Sequence, residues 1–131
     1  VVPPIVYHED DVPTLENDSD ARFKHVLINN SLVPDAGDLF VDVVIYPPDT
    51  EINNHYHEET DHFFYVLDGS GVIDIEGEVI ELEKVDIVLF GYRDIHKLYT
   101  EDEELRILEY FSNIDHEMTR TEGEDHSWME Q

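Results

Sequence analysis

The chain contains no cysteine. Disulfides, thiolate metal sites and a cysteine nucleophile are therefore excluded. Basic residues are nearly as scarce, with 7 Lys and Arg against 33 Asp and Glu and a formal net charge of −26. A surface of that sign repels nucleic-acid phosphates and anionic lipid headgroups, so neither nucleic acid nor membrane is expected as a partner. No apolar run approaches the roughly 20 residues that cross a bilayer. The opening stretch, VVPPIVYHEDDVP, has neither the basic nor the apolar region of a secretory signal, and a cytoplasmic location is expected. The chain also lacks a phosphate-binding loop, a dinucleotide fingerprint and a Ser/His/Asp arrangement.

What the chain has in excess is acid, spread along its whole length, strands included. High net charge of one sign loosens a compact state by self-repulsion. Molar salt cuts the Debye length to about 3 Å and removes most of that repulsion. The composition therefore predicts a halophilic protein, suited to a cytoplasm at molar salt. With 131 residues, one domain spanning 1–131 is expected, its core at about 22–111. The acidic stretch 8–20 reads as an exposed loop, and the polar, acidic stretch 112–131 as a loosely packed tail.

Within the core, turn signals separate many short β-prone runs: 22–28, 39–46, 62–68, 72–76, 79–82, 86–90, 96–99 and 105–111. No amphipathic helix interrupts them, which indicates an all-β, antiparallel sandwich or barrel. The run His62-Phe63-Phe64-Tyr65-Val66-Leu67 is apolar on both faces. Period-2 alternation places Phe64 and Val66 inside with His62, and Phe63, Tyr65 and Leu67 outside. Three large apolar side chains on an outer face need a cover, and a second copy of the chain supplies one, so a homodimer is expected.

The histidines carry the chemistry. His55 and His57 stand two apart at the start of NNHYHEETDHFFYVLDGSG, a spacing that puts both on one face of a strand. His62 follows a short acidic loop, and His96 ends VDIVLFGYRDIH. Neutral imidazole is the commonest metal ligand, and several converging inside a β-structure make a metal site. Asp61 competes with His62 as a ligand. His8, His25, His116 and His126 stand in loop, edge or tail contexts and read as structural or solvated. Glu58 and Glu59 read as a solvated pair that could orient a ligand histidine. Tyr56 should face away from its neighbours, and Tyr46, Phe64, Tyr92 and Tyr110 read as core or pocket lining. Arg93, just before His96, is a candidate anchor for a substrate carboxylate through a bidentate contact.

The same residues resemble the two motifs of the cupins, small jelly-roll β-barrels. The first motif is Gly, five residues, His-x-His, three or four residues, Glu, six residues, Gly; here it reads Asp49, His55, His57, His62, Gly69. The second is Gly, five residues, Pro-x-Gly, two residues, His, three residues, Asn; here it reads Val85, Gly91, Arg93, His96, Thr100. The resemblance covers about residues 40–111. It implies an antiparallel jelly-roll barrel and one divalent transition metal (Fe, Mn, Ni, Cu or Zn) held by His55, His57, His62 and His96. Histidine in place of the family's glutamate leaves the site a full positive charge higher, which strengthens it as a Lewis acid and favours an anionic ligand.

Three activities remain open to such a barrel. A cupin-type dioxygenase or oxidoreductase acting on a small molecule is the leading expectation. A redox-neutral isomerase or lyase is the alternative, and a non-catalytic barrel that binds a small ligand or metal is the third.

Overall fold

In the computed structural model the described residues are 5–17, 21–29, 32–34, 40–52, 55–57, 62–90, 96–111, 118–120 and 128–130. They form one 3₁₀ turn, Glu9–Asp11, and twelve strands. In chain order these are β1 Thr14–Asn17, β2 Phe23–Ile28, β3 Phe40–Tyr46, β4 His55–His57, β5 His62–Gly69, β6 Gly71–Ile75, β7 Glu78–Leu82, β8 Ile87–Phe90, β9 His96–Tyr99, β10 Leu105–Phe111, β11 Met118–Arg120 and β12 Trp128–Glu130. Every pairing is antiparallel, in two sheets ordered β12-β1-β2-β3-β10-β5-β8 and β11-β4-β9-β6-β7. The chain passes back and forth between the sheets, as an antiparallel jelly roll requires. Among the described residues no helix is long and apolar enough to cross a membrane.

The strands form where alternation lets one face of each be buried. On β5, Phe64 and Val66 are buried at 3% and 0% exposure, while Phe63, Tyr65 and Leu67 are half-buried on the other face. Beside them on the same sheet are Leu105 and Ile107 of β10 and Val44 and Tyr46 of β3; the second sheet contributes Ile73, Leu82 and Leu98. Fully burying a side chain of this size contributes about 1.5–3 kcal/mol, so this shared core holds the two sheets together.

β3 is buried on both faces, because Val43 and Ile45 are also 2% and 1% exposed. Glu9 bridges the strands that flank it. Its carboxylate lies 3.0 Å from Arg106 on β10 and 3.6 Å from His25 Nδ1 on β2. Arg106 stands opposite Ile45, and His25 opposite Val43, so the N-terminal segment crosses the outer face of β3. The stretch 8–20, expected to be an exposed loop, thus contains the 3₁₀ turn and β1, which pairs with both β2 and β12. The stretch 112–131, expected to be a loose tail, contributes β11 against β4 and β12 against β1. Acidity masked these short strands, because partner strands supply pairing that local composition does not advertise.

Two turns decide where the motif residues fall. Gly69 ends β5 at φ +82°, and a Cβ built there would lie 1.8 Å from the Glu104 carbonyl oxygen. Only glycine satisfies both conditions. Asp49 and Val85 hold φ +56° and +70° without being glycine.

Candidate metal centre

Three strands, β4, β5 and β9, carry the motif histidine positions. Asp49, in the left-handed conformation, turns the chain after Pro47-Pro48, and its N–H bonds the Glu101 carbonyl at 2.9 Å. Thr100 clamps the same turn. Its N–H donates to the Thr50 carbonyl at 2.8 Å, and its hydroxyl oxygen accepts from the Thr50 N–H at 2.9 Å. The Ile52 N–H then bonds Leu98 at 3.1 Å. Residues 49–52 are thereby laid along β9, and the chain enters β4 with position 55 directly opposite His96. Thr100 occupies the position of the second motif's asparagine and ties this turn to β9.

His96 is 1% exposed and shares a face with Leu98, which is 0% exposed and part of the core. Residues paired directly across an antiparallel ladder share a face, so position 55 lies on that inner face, and position 57 with it by period 2. In the other sheet, position 62 begins β5 on the face of Phe64 and Val66 and pairs with Phe90 and Phe111. The backbone therefore puts three motif positions in one sheet and the fourth in the other, on the faces turned to the common core. The side chains of His55, His57 and His62, and residues Asp61, Glu58, Glu59, Tyr92, Arg93, His116 and His126, lie outside the described residues. Among the described residues no three His, Asp or Glu side chains are grouped as for a metal ion. His96 is the motif histidine whose surroundings are visible, and a buried imidazole on the core face beside the His-x-His strand suits a ligand set of this kind.

The remaining candidates fall into structural places. His25 is half-buried against Glu9. His8 caps the 3₁₀ turn, its Nδ1 accepting the Asp10 N–H at 3.1 Å. Tyr46 and Phe64 are core at 1% and 3% exposure, and the Tyr110 ring packs on Phe63 at 5.6 Å.

A second polar group sits inside the barrel, on the seven-stranded sheet. Asp42 is 0% exposed, Glu109 9%, Lys24 6% and Arg22 5%. Lys24 Nζ lies 3.4 Å from Asp42 Oδ2, and the Arg22 guanidinium stands over the Tyr46 ring at 5.9 Å. Burial pushes the Glu109 carboxyl well above the ordinary carboxylate range; the charge of Asp42 and a hydrogen bond to it push the same way, against Lys24 and Arg22. Sequence reading passed over this group. The available signal was a single acid inside each of two apolar strands, LFVDVVIY and LRILEYF.

Comparison with known proteins agrees with the fold. The sequence matches the family described as Cupin domain over residues 42–111, more than half of the chain. No curated protein matches it significantly. Among solved structures, the polyketide cyclase RemF from Streptomyces resistomycificus is similar, at TM-score 0.78 and 19% identity over 94% of this chain and 89% of that one. A predicted oxalate decarboxylase from Thermotoga maritima is similar at TM-score 0.69 and 16% identity, over 82% and 97% of the two chains. Ectoine synthase from P. lautus gives 0.68 and 15%, over 84% and 78%.

Proposed function

Because the chain belongs to the cupin family, we propose that it is a metal-dependent enzyme acting on a small molecule, with His55, His57, His62 and His96 holding one divalent transition metal. The observation that carries this reading is the pairing of position 55 with His96, a 1%-exposed histidine on the core face. Imidazole donors suit Fe, Mn, Ni, Cu or Zn, and such an ion, once bound, polarises an oxygen of the substrate as a Lewis acid.

Of the reaction classes open to this centre, a redox-neutral one (isomerase, lyase or cyclase) fits this chain best. Such chemistry needs a group that holds or moves a proton, and the Asp42–Glu109 pair lies within the same barrel. The similarity to a structure named as a polyketide cyclase supports this choice. Dioxygenase activity is the second reading. It follows from the metal set of the family resemblance and is separated by oxygen uptake, since turnover under argon belongs to the redox-neutral class alone.

The acidic surface suits work in a cytoplasm at molar salt, without nucleic-acid or membrane partners. A second copy of the chain covers the outer face of β5 and β8. There Phe63 and Tyr65 stand beside Leu89 and Ile87, which are 75% and 67% exposed.

Metal analysis of untagged protein, purified in high salt without chelator, tests the centre. One equivalent per chain is expected. His62→Ala should lower the bound metal and Asp61→Ala should leave it unchanged, because register sets position 62, not 61, on the face of Phe64. The reverse result would move the ligand to Asp61, and no metal uptake by the native chain would overturn the reading.

A further inference from the structure

The metal centre leaves unexplained why two acids are buried face to face. Asp42 on β3 and Glu109 on β10 are direct cross-strand partners, a placement that brings Cβ atoms to about 5 Å. Both point to the interior with Val44 and Ile107. An ionised carboxylate only accepts hydrogen bonds, and two of them close together in a dry site do not both ionise. Apart from Glu109 itself, no donor among the described residues hydrogen-bonds either oxygen of Asp42; Lys24 supplies charge from 3.4 Å. A proton on Glu109 supplies the missing donor, in keeping with the upward displacement of its carboxyl.

Among the described residues, Lys24 and Arg22 are the charged groups that act on Glu109 besides Asp42. β2 presents Lys24, and Arg22 precedes that strand; β5 presents apolar Phe64 directly opposite Glu109. Two positions along the same face of β5 is position 62, so position 109 is a diagonal neighbour of that candidate ligand position on the inner face, with Asp42 one strand further away.

We propose that Asp42 and Glu109 share one proton and act as the acid–base pair for a small enolisable carbonyl compound, such as a 2-oxo acid, held at the metal centre. This rests on the metal-dependent reading above. Glu109, the less buried member, meets the substrate, and Asp42 backs it. Glu109 takes the proton from the α-carbon, and the C–H electron pair becomes the enolate. The proton already shared moves onto Asp42 as Glu109 is filled. Return of the proton to carbon reverses each transfer, so the step is redox-neutral and consumes nothing.

Two measurements on the native chain in high salt test this. Infrared difference spectra should show the C=O stretch of a buried carboxylic acid at neutral pH, lost in Glu109→Gln and shifted or lost in Asp42→Asn. Its absence from the native protein would overturn the shared proton. In D2O, the metal-loaded protein should exchange the methyl protons of pyruvate, followed by NMR, faster than the same metal in buffer. Glu109→Gln should slow that exchange by about 100-fold at unchanged metal content, and Asp42→Asn carries the same test if that variant fails to fold. No exchange by the native protein, or an unaltered rate in the variants, would overturn the acid–base role. A chain that binds no metal yet keeps the carboxylic-acid band would instead defeat the metal reading and leave the proton pair standing.

Discussion

Val85 occupies a position where its own chemistry opposes its backbone. It lies in the turn between β7 and β8, closed by the Asp86 N–H to the Glu83 carbonyl at 3.1 Å and by the Glu83 N–H to Asp86 Oδ2 at 2.9 Å. Its φ is +70°, a region that β-branched residues almost never occupy. A side chain there costs about 1–2 kcal/mol. Val85→Gly removes that cost, while the extra freedom of glycine in the unfolded chain takes back about 0.5–1 kcal/mol. Little burial is lost, because Val85 is 63% exposed. The net expectation is a gain of about 1 kcal/mol, or roughly 3–5 °C in Tm for a chain of this size. Val85→Asn should gain comparably, since asparagine tolerates the left-handed region. Val85→Ala keeps a Cβ and should stay near the native value. Thermal unfolding followed by circular dichroism in high KCl ranks the four proteins. A Val85→Gly variant that melts below the native chain would refute the strain argument, as would an Ala variant as stable as the Gly one.

Three further predictions follow from burial and charge. Lys24→Met should destabilise the fold by about 3–5 kcal/mol, because it leaves the buried Asp42 charge without its cation; adding Asp42→Asn should recover much of the loss, and equal melting of the single and double variants would count against the ion pair. Leu89→Asp should convert a dimer into a folded monomer by sedimentation or light scattering, given the 75% exposure of Leu89 on the proposed contact face; a native chain that is already monomeric would remove the dimer. Tm should rise steeply between about 0.1 M and about 3 M KCl as the Debye length falls from ~10 Å to below ~3 Å, and a flat response would contradict the halophilic reading.

Much of the fold was legible because alternation is a local signal. The runs 96–99 and 105–111 coincide with β9 and β10, and the inside–outside assignment along 63–67 holds. Where pairing partners do the work, the sequence was silent. Thr14–Asn17, Met118–Arg120 and Trp128–Glu130 are short, polar and stabilised by neighbours far along the chain. The motif departures at Asp49, Val85 and Thr100 were visible as substitutions, but not that the first two keep a glycine-like φ and that Thr100 ties the loop.

The sequence by itself determined the all-β class, the acidic surface, the absence of thiol chemistry and the identity of the histidines that stand on motif. Those properties follow from residue type and from a period-2 pattern that any strand must obey. Only the tertiary structure decided that position 55 meets His96 across a ladder, that Glu9 joins Arg106 and His25 on the strands flanking β3, and that Asp42 and Glu109 stand opposite each other in the interior. Each of these depends on which strands become neighbours and in what register, and that is settled by burial of the whole core.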